Sequence, residues 1–466
     1  RKGQDHPMTA PDRDDETGYP NPRYAWYVVS VLTVAYLLSF LDRQILALLV
    51  QPIRRDLAIS DFQVSLLGNL AFGIFYTLLG LPLGRAADRF SRRGIIAAGV
   101  ATWCLMTAAC GLARNFVQLF IARVGVGVGE AALNPAALSM ISDYFPRRIR
   151  GRALTFYNMG ISLGVGVALI FGGQVIAWVA AAPPVELPGI GVLRAWQTVF
   201  ILVGLPGLLI ALLMLTVREP VRRDRLHVRQ ADGSVTDQLT VRLTVAYLRQ
   251  RWRTYLTHFI GMTVVTIQGY SYFFWVPSMF VRTWDWTIPE ISLAYGIVTI
   301  IGGPLGIILG GWISERLYQR GHKDALMRTC LGGAILLLIP GSVLTPLMPN
   351  AELALAMLIP VSIGGAMVTA TGAAALQMIT PNQMRAQTTA VYYFVINIFG
   401  LLGPTAVASV TDFGFGDDGA LRWSLAIVCS IASVIGLACL MAHLPHYRRS
   451  VLEAEGWAAA VARDPA

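Results

Sequence analysis

Apolar runs of twenty or more residues recur along most of the chain, from Tyr24 to Leu444, with short polar connections between them. Each run is long enough to cross about 30 Å of hydrocarbon as a helix. In that layer no water is available to the backbone, so a helix must satisfy its own peptide groups. The pattern predicts an all-α membrane protein with twelve transmembrane helices. The spans fall at about 24–50, 62–84, 94–113, 116–142, 151–181, 196–217, 254–281, 289–313, 325–347, 351–379, 386–411 and 421–444. Composition agrees: 14% of residues are charged, against about 25% in an ordinary soluble domain.

The formal net charge of +10 does not point to nucleic acid. Most of the 37 Lys and Arg lie in the short connections, alternately rich and poor along the chain. Such a bias sets topology by the positive-inside rule, and places both termini in the cytoplasm, with a bacterial inner (plasma) membrane expected. Anionic lipid headgroups are the expected contacts of these residues. The polar, Pro/Asp-rich segment before Pro22 is unlike a cleavable signal peptide; Met8 is a candidate initiator, and the first span is expected to direct insertion. The five cysteines (Cys104, Cys110, Cys330, Cys429, Cys439) fall inside apolar helices and read as packing residues. No cofactor and no metal are expected, and a monomer is.

One long internal connection, Arg218 to Arg253, divides the spans six and six. The domain reading is a polar N-terminus (1–23), a six-helix bundle (24–217), a linker (218–253), a second bundle (254–445) and a tail (446–466). The linker begins "REPVRRDRLHVRQ" and turns amphipathic in "QLTVRLTVAYLRQRWR". Its second part fits a helix on the inner membrane surface or a plain solvated linker. The halves repeat each other. "GRAADRFSRRG" (84–94) after the second span matches "GWISERLYQRG" (311–321) after the eighth, each with Gly, three residues, an acid and Arg. "PRRIRGRALTFYNMG" after the fourth span matches "PNQMRAQTTAVYYFV" after the tenth, each with Pro followed four residues later by Arg. Two pairings at nearly one offset indicate duplication, a feature of transporters built from repeats.

With Gly84, Asp88, Arg89, Arg92 and Arg93 between the second and third spans, the chain resembles the major facilitator superfamily. Within it, "LDR" in the first span and "RVGVGVGEAALNP" in the fourth are similar to the spinster family of lysolipid and sphingosine-phosphate transporters. Organic-anion symporters of the superfamily share the Asp-Arg and Arg/Glu placements. The resemblance implies two pseudo-symmetric bundles, transport by alternating access, and a cytoplasmic gate made by the loop after the second span. In that gate Asp88 is expected against the N-terminal end of the eleventh helix near Ala386, and Arg89 against Asp143. Arg92 and Arg93 also fit plain positive-inside anchoring. Drug–proton antiporters of the superfamily carry Gly-Pro-x-x-Gly-Gly in the fifth span. Here Gly172 and Gly173 are kept while Ala168 and Leu169 stand where Gly-Pro would be, which speaks against that class.

Four ionisable residues lie well inside spans: Asp42 and Arg43 in the first, Arg123 and Glu130 in the fourth. Each costs about 2.5–3.5 kcal/mol at a helix centre by insertion scales, so they are expected to meet in a shared wet cavity. Asp42 and Arg123 sit at similar depths in antiparallel spans, and Glu130 follows Arg123 by seven residues on the same face. The reading pairs Asp42 with Arg123 and turns Arg43 toward the cavity or Glu130. Arg stays charged in any surroundings and can hold an anionic headgroup. Burial favours a neutral acid and a nearby cation favours the carboxylate, so an acid beside an Arg can exchange a proton as substrate comes and goes. A static ion pair joining the two helices is the bland alternative. Gly125 and Gly129 form a small-xxx-small pair for close helix approach.

In the second half Gln268, Tyr272 and Trp275 share one helical face, as do Tyr393 and Asn397. They are candidates for the substrate pocket, with ordinary packing as the alternative. Charge in one half and aromatic surface in the other suit an anionic amphiphile carried with protons. A sugar acid or carboxylate moved with protons is the second expectation. An enzyme is not expected: "GISLG" (160–164) fits Gly-x-Ser-x-Gly but lies inside an apolar span. None of the six histidines has metal-ligand spacing in sequence, and His443 and His446 read as interfacial.

Overall fold

A computed structural model describes residues 19–463 apart from 190, 223–227, 230–234 and 237–240. Among these residues twelve helices are long and apolar enough to cross a membrane. They are α1 (Pro22–Leu48), α2 (Asp61–Gly80), α3 (Arg92–Cys110), α4 (Phe116–Tyr144), α5 (Arg148–Ala181), α6 (Ala195–Thr216), α7 (Trp252–Trp284), α8 (Ile288–Gln319), α9 (Ala325–Leu347), α10 (Ala351–Met378), α11 (Gln387–Phe415) and α12 (Asp418–Ala454). Number and order follow the sequence reading; the last helix does not stop where expected. Its helical course extends from Leu421 to Arg463, and salt bridges from Arg448 to Asp324 (2.9 Å) and Arg251 to Glu453 (2.9 Å) hold its end.

Caps and breaks explain where the helices start and bend. Asn21, Ser91, Asn115, Thr287 and Asn350 each accept a backbone N–H at the start of a helix. Pro146 and Pro381 occupy equivalent N-cap positions before the fifth helix of each half, as the repeated Pro-x-x-x-Arg pattern predicts. α4 is interrupted at Ala131–Ala132, between helical pieces Phe116–Glu130 and Leu133–Tyr144. Pro135 accounts for this, since a proline ring collides with the carbonyl four residues back. α2 contains a widened π turn at Leu66–Leu70, which loosens the backbone ladder at that depth.

The halves join through small residues. An added Cβ on Gly166 of α5 would lie 2.7 Å from the Gly296 carbonyl of α8, and one on Gly73 of α2 would lie 2.4 Å from Leu401 of α11. Among the described residues, the polar bonds joining the halves lie at the end remote from the termini. Arg282 bridges Asp61 (2.6 Å), Arg54 bridges Asp418 (2.7 Å), the Phe62 N–H donates to Asp412 (2.7 Å), and the Ser65 hydroxyl meets Thr405 (3.2 Å). Arg54 also reaches Asp61 (3.1 Å).

The linker divides between the halves. Its start packs on the first bundle: Arg222 donates to the Ala87 and Phe90 carbonyls at 2.8 and 2.7 Å. Its end is a helix, Val241–Gln250, held on the second bundle by Thr244 to Gln387 (2.5 Å) and Tyr247 to the Ile379 carbonyl (3.1 Å).

Candidate functional site

The break in α4 creates the site. It leaves Glu130 as the last residue of one helical piece and Asn134 near the start of the next. Close packing fixes the first piece. A Cβ on Gly129 would lie 2.6 Å from the Trp103 backbone nitrogen of α3, and one on Gly127 would lie 2.3 Å from the Phe72 carbonyl of α2. Only a glycine-rich α4 fits this slot, which sets Arg123 and Glu130 in depth.

Arg43 meets Glu130, one of the two expected outcomes. Both Nε and Nη2 of Arg43 lie 2.7 Å from Oε2 of Glu130. The carboxylate is sealed, whereas the Arg43 side chain stays 26% exposed. Its guanidinium lies 5.3, 4.8 and 4.7 Å from the rings of Phe40, Phe72 and Tyr76, which is cation–π range. Beside this bridge, Asn134 donates to the Tyr36 and Tyr76 hydroxyls (3.2 Å each) and accepts from Tyr157 (2.7 Å). The Tyr36 and Tyr157 rings stack at 5.0 Å. Sequence reasoning missed this aromatic collar, although Tyr36, Phe40 and Arg43 share an i, i+4, i+7 face.

Two expectations for the relay are corrected. Asp42 and Arg123 are neighbours, but the guanidinium donates to the Asp42 main-chain carbonyl (3.1 Å) and the Leu67 carbonyl in the π turn of α2 (3.3 Å). No ion pair joins the two side chains among the described residues. Arg43 occupies the face toward α2 and α4, and the adjacent residue on a helix points about 100° away. Nor do all four charges share an opening: Asp42, Arg123 and Glu130 are buried, and Arg43 is the partly open member.

The aromatic stripe of α7 is internal. Gln268 donates to the Cys429 carbonyl (2.9 Å) and the Ser433 hydroxyl (2.7 Å). Tyr272 donates to the Ser342 carbonyl (2.5 Å) and Trp275 to the Pro404 carbonyl (2.8 Å). These contacts tie α7 to α12, α9 and α11, so the three residues pack within the second half, where Gln268 also lines a small cavity between α7, α9 and α12. Large buried side chains with polar tips find partners, and periodicity alone cannot say whether those belong to a ligand. On the neighbouring face of α7, Phe274 packs on Gly68 of the first half, and Tyr270 donates to Asn397 of α11 within the second half (2.5 Å). Asn397 also donates to the Tyr393 carbonyl (2.7 Å), and Tyr393 is 47% exposed.

The loop after α2 is rearranged relative to expectation. Asp88 and Arg89 are exposed and make no hydrogen bond or ion pair among the described residues, so the expected Arg89–Asp143 contact and the docking of Asp88 on α11 are not present. Ala386 lies in a helix, with its side chain outside the described residues. Arg92 takes Asp143 instead (2.5 Å), and also bonds Glu219 (2.8 Å), Ser139 (2.8 Å) and the Pro220 carbonyl (3.0 Å). Arg93 reaches the Val217 carbonyl (3.2 Å). Burial opposes ionisation of Glu219, but the Arg93 N–H, Arg92 and Ser91 outweigh it and hold the carboxyl below its usual range. Gly84 lies on the helical continuation of α2. His443, expected at the interface, is fully buried and lies 3.3 Å from His258.

Twelve spanning helices in two repeated bundles, with paired charges buried mid-span, define an integral multi-pass membrane transporter. The family model of the Major Facilitator Superfamily matches residues 32–404, and the chain belongs to that family. It is 27% identical to an MFS-type efflux pump of Mycolicibacterium smegmatis, over 96% of this chain and 99% of that protein. To a probable L-galactonate transporter of Escherichia coli it is 25% identical, over 62% of each chain. In structure it is similar to a bacterial homologue of the human lysosomal transporter spinster in an inward-facing, unoccupied conformation (TM-score 0.74, 25% identity, 93% of this chain and 99% of that one).

Proposed function

We propose that this transporter moves an anionic amphiphile, a lysophospholipid or sphingosine-phosphate-like molecule, in exchange for or together with protons, across a bacterial inner membrane with both termini cytoplasmic. The observation that carries the reading is Arg43: a permanent charge, partly open, ringed by Phe40, Phe72 and Tyr76 and neutralised by one carboxylate. An incoming phosphate or carboxylate competes with Glu130 for the guanidinium. Once released, Glu130 is a buried acid without its counter-charge, and protonation relieves it. Substrate arrival and proton uptake are thereby linked. Tyr270 and Tyr393 of the second half offer surface for an apolar tail.

Polar locks at the end remote from the termini, with exposed Asp88 and Arg89 at the other, support an inward-facing state. In the outward-facing state Asp88, Arg89, Arg92 and Arg93 would close the cytoplasmic side. The galactonate relative favours a second reading, proton-linked transport of a sugar acid.

A binding screen separates the two. Lysophosphatidylglycerol is expected to raise the melting temperature of the purified protein and galactonate is not, and Arg43→Ala is expected to abolish the response. Stabilisation by galactonate alone would move the conclusion to the second reading. A response undiminished in Arg43→Ala would remove Arg43 from the site.

A further inference from the structure

His258 of α7 and His443 of α12 form a buried titratable pair in the second bundle, apart from the Arg43–Glu130 site. Both are fully buried. Nδ1 of His258 lies 3.3 Å from Nε2 of His443, and Nδ1 of His443 lies 3.1 Å from the Thr257 hydroxyl. That hydroxyl has one proton, which goes to the Arg253 and Thr254 carbonyls at 2.7 and 3.2 Å. Its oxygen therefore accepts from His443, which puts the His443 proton on Nδ1 and a lone pair on Nε2. That lone pair in turn accepts from Nδ1–H of His258. The neutral His258 ring then has a bare Nε2, and this atom has no hydrogen-bond partner among the described residues. The chain of bonds leads from exposed Arg253 through half-buried Thr257 to a core nitrogen with an unused lone pair. Polar contacts flank the pair along the α7–α12 seam: Arg251 to Glu453 (2.9 Å) and Thr254 to Ser450 (3.5 Å) on one side, and Gln268 to Ser433 (2.7 Å) on the other.

We propose that Nε2 of His258 is a proton-binding site of the second bundle, and that its occupation loosens the seam between α7 and α12. The inference holds for any substrate and does not rest on the relay of the first bundle. A hydronium ion gives up one proton, one N–H bond forms at Nε2, and the charge is shared with His443 by displacement of the Nδ1 proton along the 3.3 Å bond. The acids nearest the seam are already matched, Glu453 by Arg251 and Asp324 by Arg328 and Arg448. α10 carries no charged side chain from Ala354 to Met378. On α11 the ring of Tyr392 lies 5.6 Å from His258, and Arg385 stands seven residues earlier, about 10 Å along the helix. α12 adds Cys439, His446 and Tyr447, the last with its ring 5.5 Å from His443. On α7 the Tyr255 hydroxyl is taken by Thr380 (3.2 Å), and on α9 the Cys330 thiol by the Val368 carbonyl (3.7 Å). None of these neighbours supplies a free carboxylate. An imidazolium here is a buried cation without a counter-charge, and water must enter the seam to solvate it.

The test is solid-state nitrogen NMR on the histidine-labelled full chain in lipid bilayers, with hydrogen exchange read on matched samples. At neutral pH two of the six histidines are expected to carry a proton on Nδ1 and none on Nε2. On acidification one of these bare Nε2 signals is expected to move to the protonated range. Protection factors over residues 254–262 and 440–447 are expected to fall at the same time. His258→Asn, which cannot take the proton, is expected to remove one of the two signals and to abolish the fall. A bare Nε2 that persists to the lowest pH at which the protein stays folded would overturn the proton site, and so would the absence of both Nδ1–H forms at neutral pH. An equal fall in protection in His258→Asn and wild type would overturn its link to the seam. Should His258→Asn not fold, His258→Gln is read in the same way, and the wild-type spectra decide the proton site without a variant.

Discussion

At the residue scale, Arg43 and Glu130 neutralise each other while Arg123 is held by main-chain carbonyls. Arg43, Glu130, Arg123 and Asp42 stand out because any charge in the middle of a span demands an explanation. Partner choice depends on rotation about the helix axis and on carbonyls that sequence does not announce. Leu67 became an acceptor because α2 widens into a π turn. Arg92 shows the same limit: three Arg cluster in "DRFSRR", and only burial distinguishes the one with two acidic partners. Arg92→Leu would leave Asp143 and Glu219 without their counter-charge. It is expected to cost about 3–5 kcal/mol of stability, the usual loss on breaking a buried ion pair. Arg89→Ala, at an exposed site, is expected to change stability by less than about 0.5 kcal/mol. Thermal unfolding in detergent compares the two, and equal losses would contradict the assignment. For proton linkage, Glu130→Gln is expected to abolish uptake driven by a pH gradient while preserving counterflow exchange in proteoliposomes. Intact gradient-driven uptake in both Glu130→Gln and Asp42→Asn would end the relay reading.

At the element scale the duplicated halves use opposite signs for the same job. Arg92, first residue of α3, holds acids at the ends of α4 and α6. Its counterpart before α9 is Asp324, which holds Arg328 (2.7 Å) and, toward the C-terminal end of α12, Arg448 (2.9 Å). Burial opposes the Asp324 charge, but the two Arg hold its carboxyl below the usual range, as Glu219 is held below its own. A depressed folded value means that the stabilisation is present above the ordinary carboxylate range and is lost as pH falls through the folded value. Stability from these two contacts is therefore expected to be level near neutrality and to decline only below about pH 4. Glu219→Gln and Asp324→Asn should each flatten that acid-side decline in melting temperature measured against pH; an unchanged slope would show that other groups dominate. Spans and repeats were legible because apolar length and the paired Pro-x-x-x-Arg motifs are local signals; the break in α4 was not read, although Pro135 marks it. The inward direction of the Gln268–Tyr272–Trp275 stripe was not, since a helix inside a bundle can bury several faces.

At the scale of the whole molecule the two bundles are held by a small charged latch at one end. Asp61 is fully buried and engaged by Arg54 and Arg282. Asp61→Asn weakens both contacts at once and is expected to raise the fraction of molecules open at that end. Spin-label distances between the outer ends of α2 and α7 would show a longer population; an unchanged distribution would mean that the glycine contacts alone hold the closure.

The connector between the bundles is fastened at each end to a different body, at Arg222 to the first and at Thr244 to the second. Severing the polypeptide between those two fastenings would thus leave each bundle its own fastened end. The protein should tolerate being made as two separately translated pieces that find each other in the bilayer, each bringing its own stub of the strap.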